Sequence, residues 1–246
     1  MMRTLGVFEL TGCGGCALNI IFLYNKLFDV TQLYKIKEFH MASSYREEGS
    51  LDVALVSGSV STQRDLDTLK YARENSRFLI AIGTCATHGN MQSSIEGSIE
   101  EKLERVYGTK ESYMGALNSK PVTEYVKVDF AIPGCPYDKD ELYQALILLA
   151  KGVEPAYKDY PVCVECKLNG YECVLVKRGI PCLGPLTVGG CNAICLRSGV
   201  GCIGCRGPLP KGANPAGEAR ILKELGYDDE YIRKKYKTFS GGGLKW

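Results

Sequence analysis

The sequence predicts an α/β fold in which a parallel sheet, covered by helices on both faces, is followed by a small irregular domain. Two observations support this prediction. Continuous apolar runs alternate with amphipathic helical patterns through residues 1–155, whereas glycine, proline and cysteine dominate residues 161–210. Strands that are buried on both faces of a parallel sheet read as unbroken apolar runs. We therefore expect an α/β domain over residues 1–155, an irregular domain over 156–210 and a helical tail over 211–246.

The elements of the first domain are predicted in chain order from these runs. Strands are expected over residues 4–10, 51–58, 77–85 and 125–132, and helices over residues 16–27 and 64–75. A third helix is expected after Asp138, which together with Glu141 resembles a capping box, and Gly152 is expected to end it. This order indicates a flavodoxin-like or Rossmann-like sheet, in which ligands bind beyond the carboxyl ends of the strands.

The tail is expected to form two helices, over residues 216–225 and 228–236, before the run Gly241-Gly242-Gly243. The basic run Arg233-Lys234-Lys235 is interpreted as a solvated face of the second helix. Neither helix carries a motif of its own.

Composition limits the classes of function that this chain can have. Of its 246 residues, 45% are hydrophobic and 24% are charged, as in ordinary globular proteins, and a formal charge of +2 gives no reason to expect nucleic acid as a partner. No apolar run reaches the roughly 18 residues that a membrane helix needs. The first residues lead directly into an apolar strand without a charged leader, so we expect a cytoplasmic protein with no membrane partner.

Four cysteines of the first domain lie where the predicted strands end. Cys13 and Cys16 lie in the glycine-rich turn after the first strand, Cys85 ends the strand over 77–85, and Cys135 follows the strand over 125–132. Because parallel strands end at one edge of a sheet, we expect these cysteines to converge. The turn lacks the spacing of a phosphate-binding loop, so we interpret its glycines as letting backbone amides approach a metal centre.

The other eight cysteines form two consecutive sets in the irregular domain. Their spacing is Cys163-x₂-Cys166-x₆-Cys173-x₈-Cys182, followed by Cys191-x₃-Cys195-x₆-Cys202-x₂-Cys205. Exchange of ligands between the two sets stays open, since bacterial ferredoxins share cysteines across two clusters. This stretch has little patterned apolar surface, so we expect bound metal to supply much of its stability.

Twelve cysteines in three sets of four favour an electron-transfer protein with three 4Fe–4S clusters, because each such cluster needs four thiolates. Disulfides are the first alternative, but they are typical of short secreted scaffolds. Zinc is the second, because C-x-x-C pairs also suit tetrahedral Cys₄ sites, and the chain would then be a zinc-stabilised interaction module. Zinc does not explain ligands from three strand ends of one sheet.

Five motifs occur in a fixed order: Cys13-Gly14-Gly15-Cys16, Gly83-Thr84-Cys85, Gly134-Cys135-Pro136, Cys182-Leu183-Gly184-Pro185 and Cys202-Ile203-Gly204-Cys205. From about residue 4 to residue 208, this set resembles the small subunit of nickel–iron hydrogenases. The resemblance is closest to the cytoplasmic, bidirectional branch, which includes the delta subunit of the NAD(P)-linked sulfhydrogenases of heat-loving archaea.

The resemblance implies an electron relay between two partners. Hydrogen would be split at a nickel–iron centre in a separate large subunit, and electrons would leave to flavin- and iron–sulfur-containing subunits that reduce NAD(P). A deazaflavin, a ferredoxin or polysulfide stays open as the acceptor. The implied ligands are Cys13, Cys16, Cys85 and Cys135 for a proximal cluster, Cys191, Cys195, Cys202 and Cys205 for a medial cluster, and Cys163, Cys166, Cys173 and Cys182 for a distal cluster.

The chain departs from parts of this family in ways that bear on its clusters. Cys163 stands where membrane-bound relatives use a histidine, and Cys195 supplies a fourth ligand where several relatives have three. Gly15 and Asn90 occupy the places where oxygen-tolerant relatives add cysteines. The cluster-bearing subunit of respiratory complex I also resembles the α/β domain, but it carries adjacent cysteines in its first motif and lacks the eight-cysteine domain.

Residues other than cysteine give weaker signals. His40 and His88 are the only histidines, and neither has metal-ligand spacing to the other. His88 follows Cys85 by three residues, which makes a contact with the proximal site a hypothesis, and Glu9 near the first turn is a candidate hydrogen-bond or proton group. We expect no catalytic residue in this chain.

Overall fold

The computed structural model describes residues 2–111 and 115–240, and a five-stranded parallel sheet lies at its centre. The sheet contains β1 (Arg3–Glu9), β2 (Tyr34–Phe39), β3 (Leu51–Ser57), β5 (Ser76–Ile82) and β7 (Phe130–Ile132) in the order β2-β1-β3-β5-β7. A short antiparallel ribbon pairs β4 (Val60–Thr62) with β6 (Ala116–Lys120). When these five strands are numbered 1 to 5 along the chain, their order in the sheet is 2-1-3-4-5, the flavodoxin-like order. This order confirms the predicted α/β class.

The helices lie on both faces of the sheet and in the C-terminal part of the chain. Before the cysteine-rich stretch they are α1 (Gly15–Ile21), α2 (Asn25–Leu33), α3 (Gln63–Asn75), α4 (Gly83–His88), α5 (Asn90–Ser93), α6 (Ile99–Tyr107) and α7 (Lys139–Ala150). After residue 160 they are α8 (Val162–Leu168), α9 (Val174–Arg178), α10 (Ile194–Arg197), α11 (Pro215–Glu224) and α12 (Asp229–Ser240). Single 3₁₀ turns cover Val122–Glu124 and Gly184–Leu186.

Two cores cover the two faces of the sheet, and successive strand residues alternate between them. Val53 and Leu55 of β3 pack with α1, α2 and α7, whereas Ala54 and Val56 pack with α3. The register aligns Leu5 with Val53 and Val53 with Phe78. This period of two explains why the strands read as unbroken apolar runs, because both faces are buried.

A third core holds the C-terminal part together. It combines Val162, Val174 and Leu183 with Leu222 of α11 and Ile232 of α12, all of them fully or almost fully buried. Three cysteines, Cys166, Cys182 and Cys202, belong to the same core. The division of the chain at residues 155 and 210 stays a prediction, and residues of α11 and α12 belong to this core.

The helix predicted over residues 16–27 is broken into α1 and α2. Tyr24 has φ +51°, outside the helical range, and Lys139 donates to the carbonyl of Phe22 at 3.2 Å. The Lys139 ammonium therefore satisfies a carbonyl that the helix leaves open. No glycine or proline marks this break, so the sequence gives no local signal for it.

The start of α7 is only half of the predicted capping box. The Asp138 carboxylate accepts the Glu141 amide at 2.9 Å, as an N-cap residue does. The Glu141 side chain does not return to the Asp138 amide but forms ion pairs with Arg206 and Lys158. A tertiary contact has therefore replaced the second half of the box.

The two edges of the sheet are covered differently. Along β2, the edge strand that the sequence analysis missed, the amide of Glu47 donates to the carbonyl of Lys37 at 2.9 Å. The opposite edge strand, β7, has only three residues and is shorter than predicted, because residues 125–129 form a turn and bends before it. Tyr157 packs on Phe130 with ring centroids 4.7 Å apart and donates to the carbonyl of Asp129.

The C-terminal helices begin and end close to their predicted positions, with α12 reaching Ser240. The run Gly241-Gly242-Gly243 lies outside the described residues. Over residues 2–111 and 115–240, no helix combines the length and the apolar character that crossing a membrane requires.

Candidate metal centres

The first cysteine set converges at the carboxyl edge of the sheet. Cys13 and Cys16 flank the turn between β1 and α1, Cys85 lies in the first turn of α4, and Cys135 follows β7. The strand β5 ends at Ile82 and not at Cys85, because Gly83 with φ +82° turns the chain into α4. Burial, together with the thiols of Cys85, Cys135 and Cys13, raises the pKa of Cys16 to about 12. The four sulfurs are therefore electrostatic neighbours.

Glycines make room beside these thiols. A Cβ atom on Gly83 would lie 2.3 Å from the Sγ of Cys16, and one on Gly15 would lie 3.3 Å from the Sγ of Cys13. A cavity of about 140 Å³ opens between Cys13, Cys16 and Cys85, with Gly12 and Gly14 in its lining. The amide of Gly15 donates to the Sγ of Cys13 at 3.4 Å. This glycine-lined space with inward thiols and amides suits a compact inorganic group.

Two other side chains, those of Asn90 and Glu9, lie at this site, and His88 lies in the same helix as Cys85. Asn90 donates to the Sγ of Cys85 at 3.3 Å and to the Sγ of Cys135 at 3.8 Å, a role that the sequence analysis missed. Glu9 lines the cavity, and its Oε1 is buried without a partner within the described chain. His88 bonds to Thr87 at 2.7 Å and lies against Gly207, and burial lowers its pKa to about 4. The contacts found for His88 are thus with Thr87 and Gly207, and its hypothesised contact with the first set stays a prediction.

The second set, Cys163, Cys166, Cys173 and Cys182, lies around α8 and the start of α9. Burial, together with the thiols of the other three cysteines, raises the pKa of Cys163 to about 12. A Cβ atom on Gly184 would lie 3.3 Å from the Sγ of Cys163 and 3.4 Å from that of Cys182. The glycine of the Cys182-Leu183-Gly184-Pro185 motif therefore keeps the space between two thiols open.

The third set consists of Cys191, Cys195, Cys202 and Cys205. Burial raises the pKa of Cys205, while the amide of Cys135 lowers it and the thiols of Cys191, Cys195 and Cys135 raise it. Burial also raises the pKa of Cys202, and the thiols of Cys182 and Cys205 add to that rise. Thiols that the prediction assigns to one set affect each other's pKa, so they lie near one another. Their ligation of a metal stays a prediction.

The three sets form a continuous row with two junctions. At the first, the Thr84 hydroxyl accepts the amide of Gly134 at 3.0 Å and donates to the carbonyl of Cys205. At the second, the amide of Cys202 donates to the Sγ of Cys182 at 3.2 Å. The third set therefore lies between the first and the second, although it comes last in the chain.

A partly buried carboxylate organises the third set. Glu165 of α8 accepts the amides of Gly190 at 2.6 Å and Ala193 at 3.2 Å, on either side of Cys191. Its Oε2 lies 4.0 Å from the Sγ of Cys191. Sequence reasoning missed this residue, because one glutamate between Cys163 and Cys166 carries no signal of its partners 25 residues away.

All twelve cysteines are free thiols. Over the described residues, no group of three or more histidine, cysteine, aspartate or glutamate side chains is arranged to hold a metal ion. The buried thiols have raised pKa values, so binding of a metal centre would release protons.

Comparisons with known proteins agree with the motifs. The model of the family described as NADH ubiquinone oxidoreductase, 20 Kd subunit, matches residues 13–149, which leaves the eight-cysteine stretch outside the match. Over 236 residues the chain is 61% identical to Sulfhydrogenase 2 subunit delta of Pyrococcus furiosus, across 96% of this chain and 98% of that protein. It is 33% identical to a vhu subunit of the F420-non-reducing hydrogenase of Methanocaldococcus jannaschii, across 90% of this chain and 88% of that protein.

A solved structure shares the fold over nearly the whole chain. The actinobacterial-type NiFe-hydrogenase from Ralstonia eutropha H16 contains a chain that superposes with a TM-score of 0.57, covering 96% of this chain and 90% of that chain at 17% identity. At this identity the likeness concerns the fold alone, and it includes the C-terminal cysteine-rich part.

Proposed function

This chain belongs to the family of the 20 Kd subunit of NADH ubiquinone oxidoreductase and is a hydrogenase small subunit with an electron-transfer role, and from that premise we propose that it carries electrons through three 4Fe–4S clusters. The observation that carries the proposal is the continuous row of three four-cysteine sets, joined through Thr84 and through the amide of Cys202. A row of this kind suits a relay between two partners.

The donor sets fit the proposed clusters. Each set supplies four thiols, which is the number that a cubane needs, and glycines leave room beside the sulfurs of two sets. Amides of Gly15, Cys202 and Gly204 donate to cysteine sulfurs at 3.2–3.4 Å, and such donors tune the potential of a cluster. When bound, the clusters would supply one-electron carriers held in a mostly buried, low-dielectric interior.

The proposed assignment follows the row. Cys13, Cys16, Cys85 and Cys135 would hold the proximal cluster, Cys191, Cys195, Cys202 and Cys205 the medial cluster, and Cys163, Cys166, Cys173 and Cys182 the distal cluster. Burial supports this order for the distal site, because Cys173 is exposed whereas Cys202 of the medial set is 4% exposed. The exposed thiol would lie nearest to an external acceptor.

The partners belong to the proposal as well. The proximal cysteines would face a large subunit with the nickel–iron centre, and the distal set would face flavin- and iron–sulfur-containing subunits that reduce NAD(P). The 61% identity to a sulfhydrogenase delta subunit supports both partners. A cytoplasmic location stays a prediction.

Metal analysis of the native complex tests the proposal. We expect about twelve irons and twelve acid-labile sulfides per copy of this chain in anaerobically purified material, since three cubanes hold four of each. Nickel should accompany a larger subunit. Zinc with little iron would contradict the relay and favour a zinc-stabilised module.

Single cysteine variants test the assignment. Cys135→Ser should remove about four irons per chain and abolish hydrogen-dependent dye reduction, because it takes one ligand from the site nearest to the large subunit. Cys173→Ser should leave the other two sites loaded and should lower the reduction of NAD(P) more than that of a small dye. Unchanged hydrogen-dependent dye reduction by the Cys135→Ser complex would overturn the assignment.

A further inference from the structure

Arg206, directly after Cys205, is the largest fully buried side chain of the described chain, with 2% of its surface exposed. A buried guanidinium is costly unless its charge is paired and its N–H groups are bonded. The surroundings of Arg206 therefore show what the fold uses it for.

Two of its three nitrogens have partners. Nε donates to the carbonyl of Gly189 at 2.8 Å, and Nη2 donates to the Oε2 of Glu141 at 2.8 Å. A Cβ atom on Gly190 would lie 2.4 Å from Nη2, so the backbone packs closely against the guanidinium. These contacts fix the plane and the position of the group.

The third nitrogen, Nη1, is buried and finds no acceptor within the described chain. Buried N–H donors are almost always satisfied, so this donor calls for an acceptor that the protein does not supply. The carbonyl of Gly189 and the close approach of Gly190 hold the guanidinium beside Cys191, the next residue of the chain.

We propose that Arg206 donates its free N–H to the metal centre of the third set, formed by Cys191, Cys195, Cys202 and Cys205, and makes that centre easier to reduce. The inference rests on the proposed function and adds a role for this residue. Reduction adds one negative charge, and a fixed cation in a low-dielectric interior stabilises the reduced state. The acceptor would be a sulfide or a cysteine sulfur of the cluster.

A structural role alone would leave part of the arrangement unexplained. A purely structural link between Glu141 of α7 and Gly189 needs only Nε and Nη2 of Arg206. Such a link needs neither a third, unpaired nitrogen nor a position next to Cys191. Glu141 also pairs with Lys158 at 3.4 Å, so its charge does not depend on Arg206 alone. The two members of the pair can therefore be changed separately.

The experiment is redox titration of the intact complex, followed by electron paramagnetic resonance, on Arg206→Met and Glu141→Gln. Arg206→Met should lower the midpoint potential of one of the three reduction steps by about 59 mV. At the wild-type midpoint potential, this shift lowers the ratio of reduced to oxidised centre about tenfold for one electron. Glu141→Gln removes a negative charge near the same site and should shift that midpoint in the opposite direction. Arg206→Lys keeps the charge and should fall between Arg206→Met and the wild type.

The matched control is Arg220→Met, which removes an arginine whose side chain is 78% exposed on α11. It should leave all three midpoints unchanged.

An unchanged midpoint in Arg206→Met, or shifts of the same sign in Arg206→Met and Glu141→Gln, would overturn the inference and leave Arg206 as a structural residue. If Arg206→Met fails to retain iron, the Glu141→Gln shift decides: a raised midpoint supports the inference and an unchanged one overturns it. Iron and sulfide are measured first, since a wild-type complex without clusters overturns the proposed function too.

Discussion

Glu218 on α11 is a single carboxyl group with an unusual position, buried beside the second cysteine set. It is 4% exposed, and its Oε1 has no partner within the described chain. Burial raises its pKa to about 7, against a smaller opposite effect of Lys235. Cys163, Cys182 and Tyr236 also face it, and the pKa of each is raised in part by its charge.

This raised pKa gives the stability of the protein a pH dependence of known sign. The folded chain binds the Glu218 proton more tightly than the unfolded chain, so the corresponding stability is present below about pH 4.5 and is lost as the pH rises through about 7. Above pH 7 the ionised carboxylate costs on the order of 3 kcal/mol. Glu218→Gln should therefore raise the thermal midpoint at pH 8 more than at pH 5.5.

The control for this prediction is on the same helix. Glu224→Gln changes a carboxylate whose side chain is 70% exposed and should move the midpoint little at either pH. Anaerobic thermal unfolding followed by circular dichroism measures both variants. A lower midpoint for Glu218→Gln at pH 8 would mean that the carboxylate has a partner that this structure does not contain.

At the scale of elements, the turn from β5 into α4 decides whether the first cysteine set can form. Gly83 is the first residue of α4, has φ +82°, and leaves no room for a Cβ atom beside Cys16. Gly83→Ala should displace the Cys16 thiol and remove about four irons per chain, since a cubane needs all four ligands. Iron and sulfide analysis of the purified variant measures the loss.

Gly108, at the end of α6, offers a matched control for backbone strain. It has φ +71°, and a Cβ atom there would meet nothing within 4 Å. Gly108→Ala should cost about 1 kcal/mol of stability, as alanine does in a left-handed conformation, and should keep its full iron content. Equal iron loss in both variants would show that strain, and not the contact with Cys16, is responsible.

The sequence predicted the elements whose signals are local and missed those that depend on distant contacts. The strands β1, β3 and β5 and the helices α3, α7 and α11 were predicted to within a few residues, because apolar runs and caps mark them. The edge strand β2 was missed, since Lys35 and Lys37 interrupt its apolar run. At the break near Tyr24, Lys139 binds the carbonyl of Phe22 from more than 100 residues away, and no pattern around residue 24 could have indicated this contact.

The candidate site divides in the same way. Cysteine spacing and the strand ends predicted which thiols would share a site, and this assignment of ligands stays a prediction. The supporting residues Asn90, Glu165 and Arg206 were not assigned these contacts, because their partners lie in other loops and their types are ordinary. Their roles follow only from burial and hydrogen bonds in the fold.

At the scale of the whole molecule, the sheet and the cysteine-rich part differ in how they are stabilised. The sheet has two apolar cores of its own, whereas the third core includes Cys166, Cys182 and Cys202. Loss of metal should therefore loosen residues 161–210 and leave the sheet folded. Trypsin should cut the iron-depleted chain first at exposed sites such as Lys167 and Lys177, and leave a fragment containing the sheet.

Mass spectrometry of timed digests measures this order, with the iron-loaded chain as the control. Protection at Lys167 and Lys177 in the iron-depleted chain, with first cuts at Lys70 or Lys102, would show that packing alone holds the C-terminal part. It would also argue against a metal-dependent domain over residues 156–210.

The covered edges of the sheet determine how this chain can meet others. An open edge strand exposes unpaired backbone groups to which a strand of another chain can pair, and sheet proteins aggregate by this route. Here the segment around Glu47 occupies the outer side of β2, and Tyr157 lies over the three residues of β7. Edge-to-edge pairing with another sheet is thus blocked on both sides, and the proposed partners would dock at the loops that carry the cysteines.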